Sequence, residues 1–227
     1  MTKPAFRLTG NQLKLIAMLA MTADHVGLQL LPQWGFLRIL GRLAMPLYAY
    51  MIAEGCRYTR NKARYFGSIA LMALLCQLVY FFFMGSLYQC ILVTFSLSLS
   101  LMYLLDRAKG PMKIPAAILG IATVYVLTTV LPTLLPRTDF RIDYDFWGVM
   151  LPVLIYLGKD RKKALALAAM GVTMLALHFG DTQWYGLLTL PLLALYDGTR
   201  GKANIKWLFY LYYPAHLAVI YLISLII

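Results

Sequence analysis

Apolar residues along this chain gather into blocks separated by short polar connections. The blocks are Gln12–Leu31, Phe36–Gly55, Ala63–Met84, Cys90–Leu105, Ile114–Leu135, Phe146–Leu157, Ala164–Phe179, Trp184–Tyr196 and Trp207–Ile227. An α-helix rises about 1.5 Å per residue, so about 20 residues cross a hydrocarbon core of about 30 Å. Most blocks are near that length, and the pattern predicts an all-α, polytopic transmembrane helix bundle. The sixth and eighth blocks are short, and by length alone either could be re-entrant. Pro46, Pro191 and Pro214 fall inside blocks and are expected as kinks, because neighbouring helices can satisfy the carbonyls they free.

The placement of lysine and arginine resolves the two short blocks. Lys3, Arg7 and Lys14 precede or open the first block, and Arg57, Arg60, Lys62 and Arg64 join the second to the third. Arg107, Lys109 and Lys113 follow the fourth, Lys159, Arg161, Lys162 and Lys163 follow the sixth, and Arg200, Lys202 and Lys206 follow the eighth. The opposite connections hold only Arg137 and Arg141, diluted by Asp139, Asp143 and Asp145. Every alternate connection is basic, which requires both short blocks to cross. The expectation is about nine spans, with the N-terminus cytoplasmic and the C-terminus outside. Short helices that still cross point either to a thinned or water-filled cavity wall or to tilted partners.

Composition agrees with this pattern. Of the 227 residues 61% are apolar and 13% charged, and the mean hydropathy is +0.71. A soluble domain has about 25% charged residues. The whole chain, residues 1–227, therefore reads as a single integral-membrane domain. A net charge of +12 could signal nucleic acid, but its division among short connections is topological, so the lipid bilayer is the expected partner and no nucleic acid is. Lys3, Arg7 and Lys14 before an apolar run, with Ala20 and Ala23 beyond, resemble a signal peptide. The run continues past Asp24 and His25 to Leu31, which favours an uncleaved first helix. Three cysteines, Cys56, Cys76 and Cys90, are an odd number and argue against a disulfide framework.

Ionisable side chains inside the blocks carry the candidate chemistry, since each costs several kcal/mol in a bilayer unless paired or wet. Asp24 and His25 lie in the first block. Arg38 and Arg42, four residues apart and so on one helical face, lie in the second. Only the turn around Pro32–Gly35 separates the two blocks, so these four residues fall at similar depth. Pairing of Asp24 with Arg42 or Arg38 would leave His25 free toward a cavity. A histidine titrating near pH 6.5 suits proton removal from an attacking amine or hydroxyl. The plainer alternative is an ion pair that locks two helices, with His25 a satisfied hydrogen bonder. Glu54 ends the second block, and His216, beside Tyr212, Tyr213 and Pro214, lies in the ninth, where it could simply bond a tyrosine or a kink carbonyl. The connection Arg57–Arg64, including Arg60, Asn61 and Lys62, is either a positive-inside signal drawn to anionic lipid or a grip for a nucleotide phosphate. No HExxH or paired CxxC is present, so no metal is expected.

Three stretches carry a resemblance: LKLIAMLAMTADHVG (Leu13–Gly27), LRILGRLAMPLYAYMIAEGCRYTRN (Leu37–Asn61) and FYLYYPAHLAVIYLI (Phe209–Ile223). Their order resembles the TraX family, named for the F-pilin acetylation protein of conjugative plasmids. The resemblance implies a membrane-embedded acetyltransferase in a bacterial plasma membrane, with acetyl-CoA as donor substrate. The implied acceptor is an amine, as in the pilin system, or a hydroxyl on another peptide, a lipid or an envelope glycan. It directs attention to Asp24, His25, Gly41, Arg42, Pro46, Glu54, Gly55, Thr59, Arg60, Asn61, Tyr213, Pro214 and His216. On this reading Arg57, Arg60, Asn61, Lys62 and Arg64 would hold the CoA phosphates, with the thioester arm among helices one, two and nine. His25 would act as general base or, alternatively, as nucleophile. Arg42 and Arg38 would stabilise an oxyanion with Asp24 as their partner, and His216, Tyr213 and Glu54 would serve the acceptor. The rival readings are a proton-coupled transporter or flippase using the same charges, and a non-catalytic scaffold.

Overall fold

The computed structural model describes residues 7–202 and 206–226. Lys3, counted above in the basic N-terminal arm, lies outside the described residues, as does the side chain of Lys206. Among the described residues the regular elements are all helical. Helix α1 spans Gly10–Gln29, α2 Gly35–Gly41, α3 Ala44–Tyr58, α4 Lys62–Met84 and α5 Ile91–Arg107. Helix α6 (Lys113–Tyr125) runs through a π-helical turn at Val126–Val130 into α7 (Leu131–Leu134). Then come α8 (Asp145–Leu157), α9 (Arg161–Phe179), a 3₁₀ segment Asp181–Leu188 leading into α10 (Thr189–Ala194), and α11 (Lys206–Ser224). Four described stretches are long and apolar enough to cross a membrane: Gly35–Tyr58, Lys62–Met84, Gly110–Leu134 and Arg161–Phe179. The protein is a membrane protein.

Local chemistry explains the departures from plain helices. The expected second helix is broken after Gly41, because Pro46 has no N–H to give the Arg42 carbonyl four residues earlier. The chain tightens there, with the Arg42 and Leu43 amides bonding Ile39 and Leu40 at 3.2 Å, and α3 restarts with Pro46 in its first turn. Pro46 thus divides the block rather than merely kinking it. Pro132 likewise cannot serve the Thr128 carbonyl, and the π turn just before it absorbs the fault, with Leu131 bonding back to Val126. The eighth block gains length through its 3₁₀ segment. Eight residues at about 2.0 Å plus six at about 1.5 Å reach about 25 Å, more than the same residues would as α-helix.

Contacts divide the chain into two compact units, one made of Met1–Met51 with Leu165–Ile227, the other of Ile52–Ala164. In the first unit, Thr9 opens α1 through a reciprocal capping box with Gln12. The entering strand of chain bonds the connection after α10: Leu8 to Leu195 at 2.9 Å, Gly10 to Thr199 at 2.7 Å and Asn11 to Arg200 at 3.0 Å. Arg7, Lys14, Arg200 and Lys202 are therefore carried by segments at one end of this unit. Helix α1 packs beside α2 and, running parallel to it, α11.

In the second unit, α5 packs against α4, α6 and α8. The short α8 is the most buried of these, with Val149, Leu151, Val153 and Ile155 at 0–1% exposure. It needs no lipid-spanning length because its neighbours cover it. Helices α4 and α6 turn Leu71, Leu74, Phe82, Phe83, Ile118 and Leu119 outward, as a lipid-facing surface does. At one end the basic connections meet: Lys62 pairs with Asp106, whose carboxylate also accepts from the Tyr156 hydroxyl at 2.8 Å. At the other end segment 85–90 bonds segment 137–145, with Gln89 donating to Arg141 at 2.8 Å and Asp143 to Gln89 at 2.9 Å. The alternation of charge read from the sequence is thus segregated between the ends of this unit.

Candidate functional site

The polar residues of α1, α2 and α11 converge in the first unit. Asp24 takes both arginines rather than one of them: Arg42 Nη2 lies 2.5 Å from Oδ1 and Arg38 Nη1 2.8 Å from Oδ2. Glycine 41 makes this approach feasible, since a Cβ there would stand 2.1 Å from Asp24 Oδ1. The two arginines are not equivalent. Arg42 is 7% exposed and its Nε donates to the Arg38 carbonyl at 3.2 Å. Arg38 is 29% exposed, and its Nη1 also donates to the Asp24 carbonyl at 3.3 Å. Among the described residues its Nε and Nη2 make no hydrogen bond, so Arg38 is the cation with an open edge.

His25 is not left facing a cavity alone. Its Nδ1 lies 3.0 Å from the Met21 carbonyl and 3.1 Å from Nε2 of His216 on α11. His216 in turn holds its own Nδ1 2.9 Å from the Tyr212 carbonyl. A carbonyl only accepts, so in the neutral pair both Nδ1 atoms carry the proton. His216 Nε2 is then the lone pair that receives His25 Nδ1–H, and His25 Nε2 is left as a basic lone pair. No described residue bonds that Nε2. The ring of Tyr212 stacks on His216 at 5.2 Å with a 9° interplanar angle, and Tyr213 meets it edge-on at 5.5 Å. Thr22 donates its hydroxyl to the Met18 carbonyl at 3.0 Å and receives that of Tyr212. Tyr212 and Thr22 were not among the candidates, although Thr22 and His25 are three residues apart and Tyr212 and His216 four, spacings that share a helix face.

The remaining candidates lie in the second unit. Arg57 is engaged by Glu54 at 2.7 Å and by the carbonyls of Tyr156 and Gly158 at 3.1 and 2.8 Å. It caps the C-terminus of α8, where carbonyls lack helical partners and a cation is favoured. Glu54 is buried beside it. Asn61 caps α4 by accepting from the Arg64 amide at 2.8 Å, and Lys62 is paired with Asp106. Arg60 and Arg64 are exposed. Among the described residues no group of three or more His, Cys, Asp or Glu side chains is gathered as metal ligands would be.

Residues 9–224 match the family described as TraX protein. A probable fimbrial assembly protein FimC, serogroup H1, of Dichelobacter nodosus is 30% identical over 92% of this chain and 93% of its own length. An uncharacterised protein of Rickettsia prowazekii (strain Madrid E) is 42% identical over 52 residues, 23% of this chain and 21% of that protein. No solved structure matches. A match over nearly the whole chain, taking in the segments that carry Asp24, His25, Arg42 and His216, means that this chain belongs to the TraX family.

Proposed function

We propose that this protein transfers an acetyl or short acyl group from an acyl-CoA thioester to an amine or hydroxyl acceptor at the membrane. The observation that carries the reading is the oriented pair His25–His216, which leaves one imidazole lone pair open beside an arginine with an open edge. In the proposed reaction the acceptor's nitrogen or oxygen attacks the thioester carbonyl and gives its proton to His25 Nε2. His216 steadies the resulting imidazolium by receiving its Nδ1–H, as the orienting third group does for other general bases. The carbonyl oxygen becomes an oxyanion and faces Arg38, with Asp24 holding that guanidinium in place and Arg42 fixing the Asp24 carboxylate. Collapse breaks the carbon–sulfur bond, and the leaving thiolate recovers the proton from His25. Arg60 and Arg64 are the connection's exposed cations for the CoA phosphates, with Arg57, Asn61 and Lys62 shaping the chain around them.

The same reading sets nine crossings of a bacterial cell membrane, with the N-terminus cytoplasmic and the C-terminus outside. The gathering of basic segments at one end of each unit supports it. A relative named as a probable fimbrial assembly protein favours a membrane-inserted peptide amine as acceptor, over a lipid or an envelope glycan. The test is release of CoA from acetyl-CoA by nanodisc-embedded protein, with and without acceptor peptide. His25→Ala should lower turnover at least about 10²-fold, the usual contribution of a general base. An equally folded His25→Ala protein with wild-type turnover would overturn the assignment. Proton flux through these residues with no acyl-donor requirement would instead mark a transporter.

A further inference from the structure

Two of the three cysteines meet at the end of the second unit opposite its basic connections. Cys76 lies in the C-terminal half of α4 and Cys90 is the residue that opens α5. They are 3% and 1% exposed, and each thiol is within hydrogen-bonding reach of the other. Neighbouring groups hold them there. The Gln77 side chain accepts from the Cys90 amide at 2.8 Å and donates to the Tyr88 carbonyl at 2.8 Å, so the residue next to Cys76 is tied across the turn to Cys90. Gly85 closes the turn with φ at +60°, a conformation that a side chain would strain. The turn is in turn bonded to segment 137–145, with Asp139 accepting from the Leu87 amide at 2.8 Å and Tyr88 donating to Asp143 at 2.6 Å. Cys56 has different surroundings, beside Tyr103 and Tyr156 at the basic end.

We infer that Cys76 and Cys90 are joined by a disulfide bond in the assembled protein, clamping the end of α4 to the start of α5, while Cys56 stays a thiol. The inference rests on the orientation proposed above, because the end with few lysines and arginines would face the compartment where disulfides form and persist. All three thiols are unbonded in this structure. Cys90 is the attacking sulfur, since it lies on the connecting turn at the opening of α5 whereas Cys76 is held within α4. The thiolate displaces one sulfur from the disulfide of a thiol–disulfide oxidoreductase, giving a mixed disulfide and one released thiol. Cys76 then attacks the Cys90 sulfur, gives up its proton, and expels the second thiol of the oxidoreductase. Two electrons pass to that donor and the protein loses two hydrogens. The exchange takes place as the turn emerges from the membrane, before segment 137–145 covers it.

The experiment is alkylation of the full-length protein, denatured directly from cell membranes with a maleimide before and after reduction, and read by mass. The expected result is one alkylated thiol, Cys56, before reduction and three after it, with Cys90→Ser giving two before reduction. Three alkylated thiols without reduction overturn the disulfide. Orientation is read separately by Ser86→Cys in a protein with all three native cysteines changed to serine, using a maleimide that cannot cross membranes, on cells whose outer barrier is opened. Label on Ser86→Cys with free native thiols removes the disulfide and keeps the orientation. No label with free native thiols removes both.

Discussion

Gly41→Ala adds one methyl group to a short helix, and its consequence can be worked out from the contacts around Asp24. The new Cβ would stand 2.1 Å from Oδ1, 2.4 Å from Cβ and 2.5 Å from Cγ of Asp24, where ordinary contact begins at 3.4 Å. Methyl and carboxylate must therefore part by about 1.3 Å, well inside the repulsive wall. If the carboxylate swings away, it leaves Arg42 at 2.5 Å and Arg38 at 2.8 Å. If α2 moves instead, it also leaves Gly27, where a Cβ would already be 2.8 Å from Leu37. Overpacking costs about 1–3 kcal/mol, and parting a buried ion pair about 3–5 kcal/mol. The two costs overlap, so about 3 kcal/mol is expected for the variant. At about 2–4 °C per kcal/mol for a chain of this size, the unfolding midpoint should drop by about 6–12 °C. Thermal unfolding in nanodiscs reads this, and CoA release should fall with it because Arg38 loses its anchor. Gly35→Ala, at the start of the same helix with nothing within 4 Å, is the control. It should leave the stability unchanged or raise it by up to about 1 kcal/mol, the difference between Ala and Gly in helices. A Gly41→Ala protein as stable and active as Gly35→Ala would refute the reasoning.

Arg57→Ala should destabilise by about 3 kcal/mol, because it breaks the part-buried ion pair with Glu54 and takes from α8 its C-terminal cap. Arg57→Lys keeps the charge for Glu54 but not the fork that reaches the carbonyls of Ile155, Tyr156 and Gly158, and should recover only part of the loss in the same unfolding assay; full recovery would mean the cap is immaterial. At segment 137–145, the Ser86 hydroxyl and then the Leu87 amide hold the Asp139 carboxyl below its ordinary 3.8. A depressed folded value means the contact contributes fully at neutral pH and is lost as pH falls through that lowered value. Hydrogen-exchange protection of the Leu87 amide should therefore drop once the pH falls below that lowered value. In Asp139→Asn protection should be low throughout, and a wild-type amide equally protected at both pH values would exclude the carboxylate as its holder.

How much of this could be read from the sequence depended on whether the information was local. Asp24, Arg38 and Arg42 announced themselves because charge inside an apolar block demands a partner, and a short turn leaves few partners to choose from. That both arginines would take the same carboxylate needed the packing, as did the unequal burial that leaves Arg38 rather than Arg42 open. His25 and His216 are 191 residues apart. Periodicity places each on a face but names no opposite face, so the bond between them had no sequence signal. Arg57 illustrates the reverse case. A cation in a basic connection reads as topology or as phosphate grip, and nothing local says that the carbonyls ending α8, about a hundred residues on, will claim it. The break at Pro46 was local in principle, since a proline withdraws its bond from the residue four earlier. That residue is Arg42, so the same proline that divides the block also sets where the buried arginine sits.

The polar groups of the first unit form an order of dependence rather than a set of equals. Asp24 answers to two arginines, and Arg42 is turned inward by its bonds to Asp24 and to the Arg38 carbonyl. Tyr212 holds His216 from both sides, by its carbonyl and by its ring, while its hydroxyl is given to Thr22. His216 turns His25 so that the carbonyl-bound nitrogen carries the proton. After these assignments, two polar edges in the cluster face no described partner: His25 Nε2 and the outer edge of Arg38. One can take a proton and the other can face a developing negative charge. A helix lock needs neither edge, and it could replace both histidines with apolar residues at lower desolvation cost. A proton path needs a further acceptor beyond His216, yet that ring's second nitrogen is held by a backbone carbonyl that cannot pass a proton on. On the proposed reading these two edges of one cluster, each oriented by its neighbours, are the base and the oxyanion donor that group transfer requires.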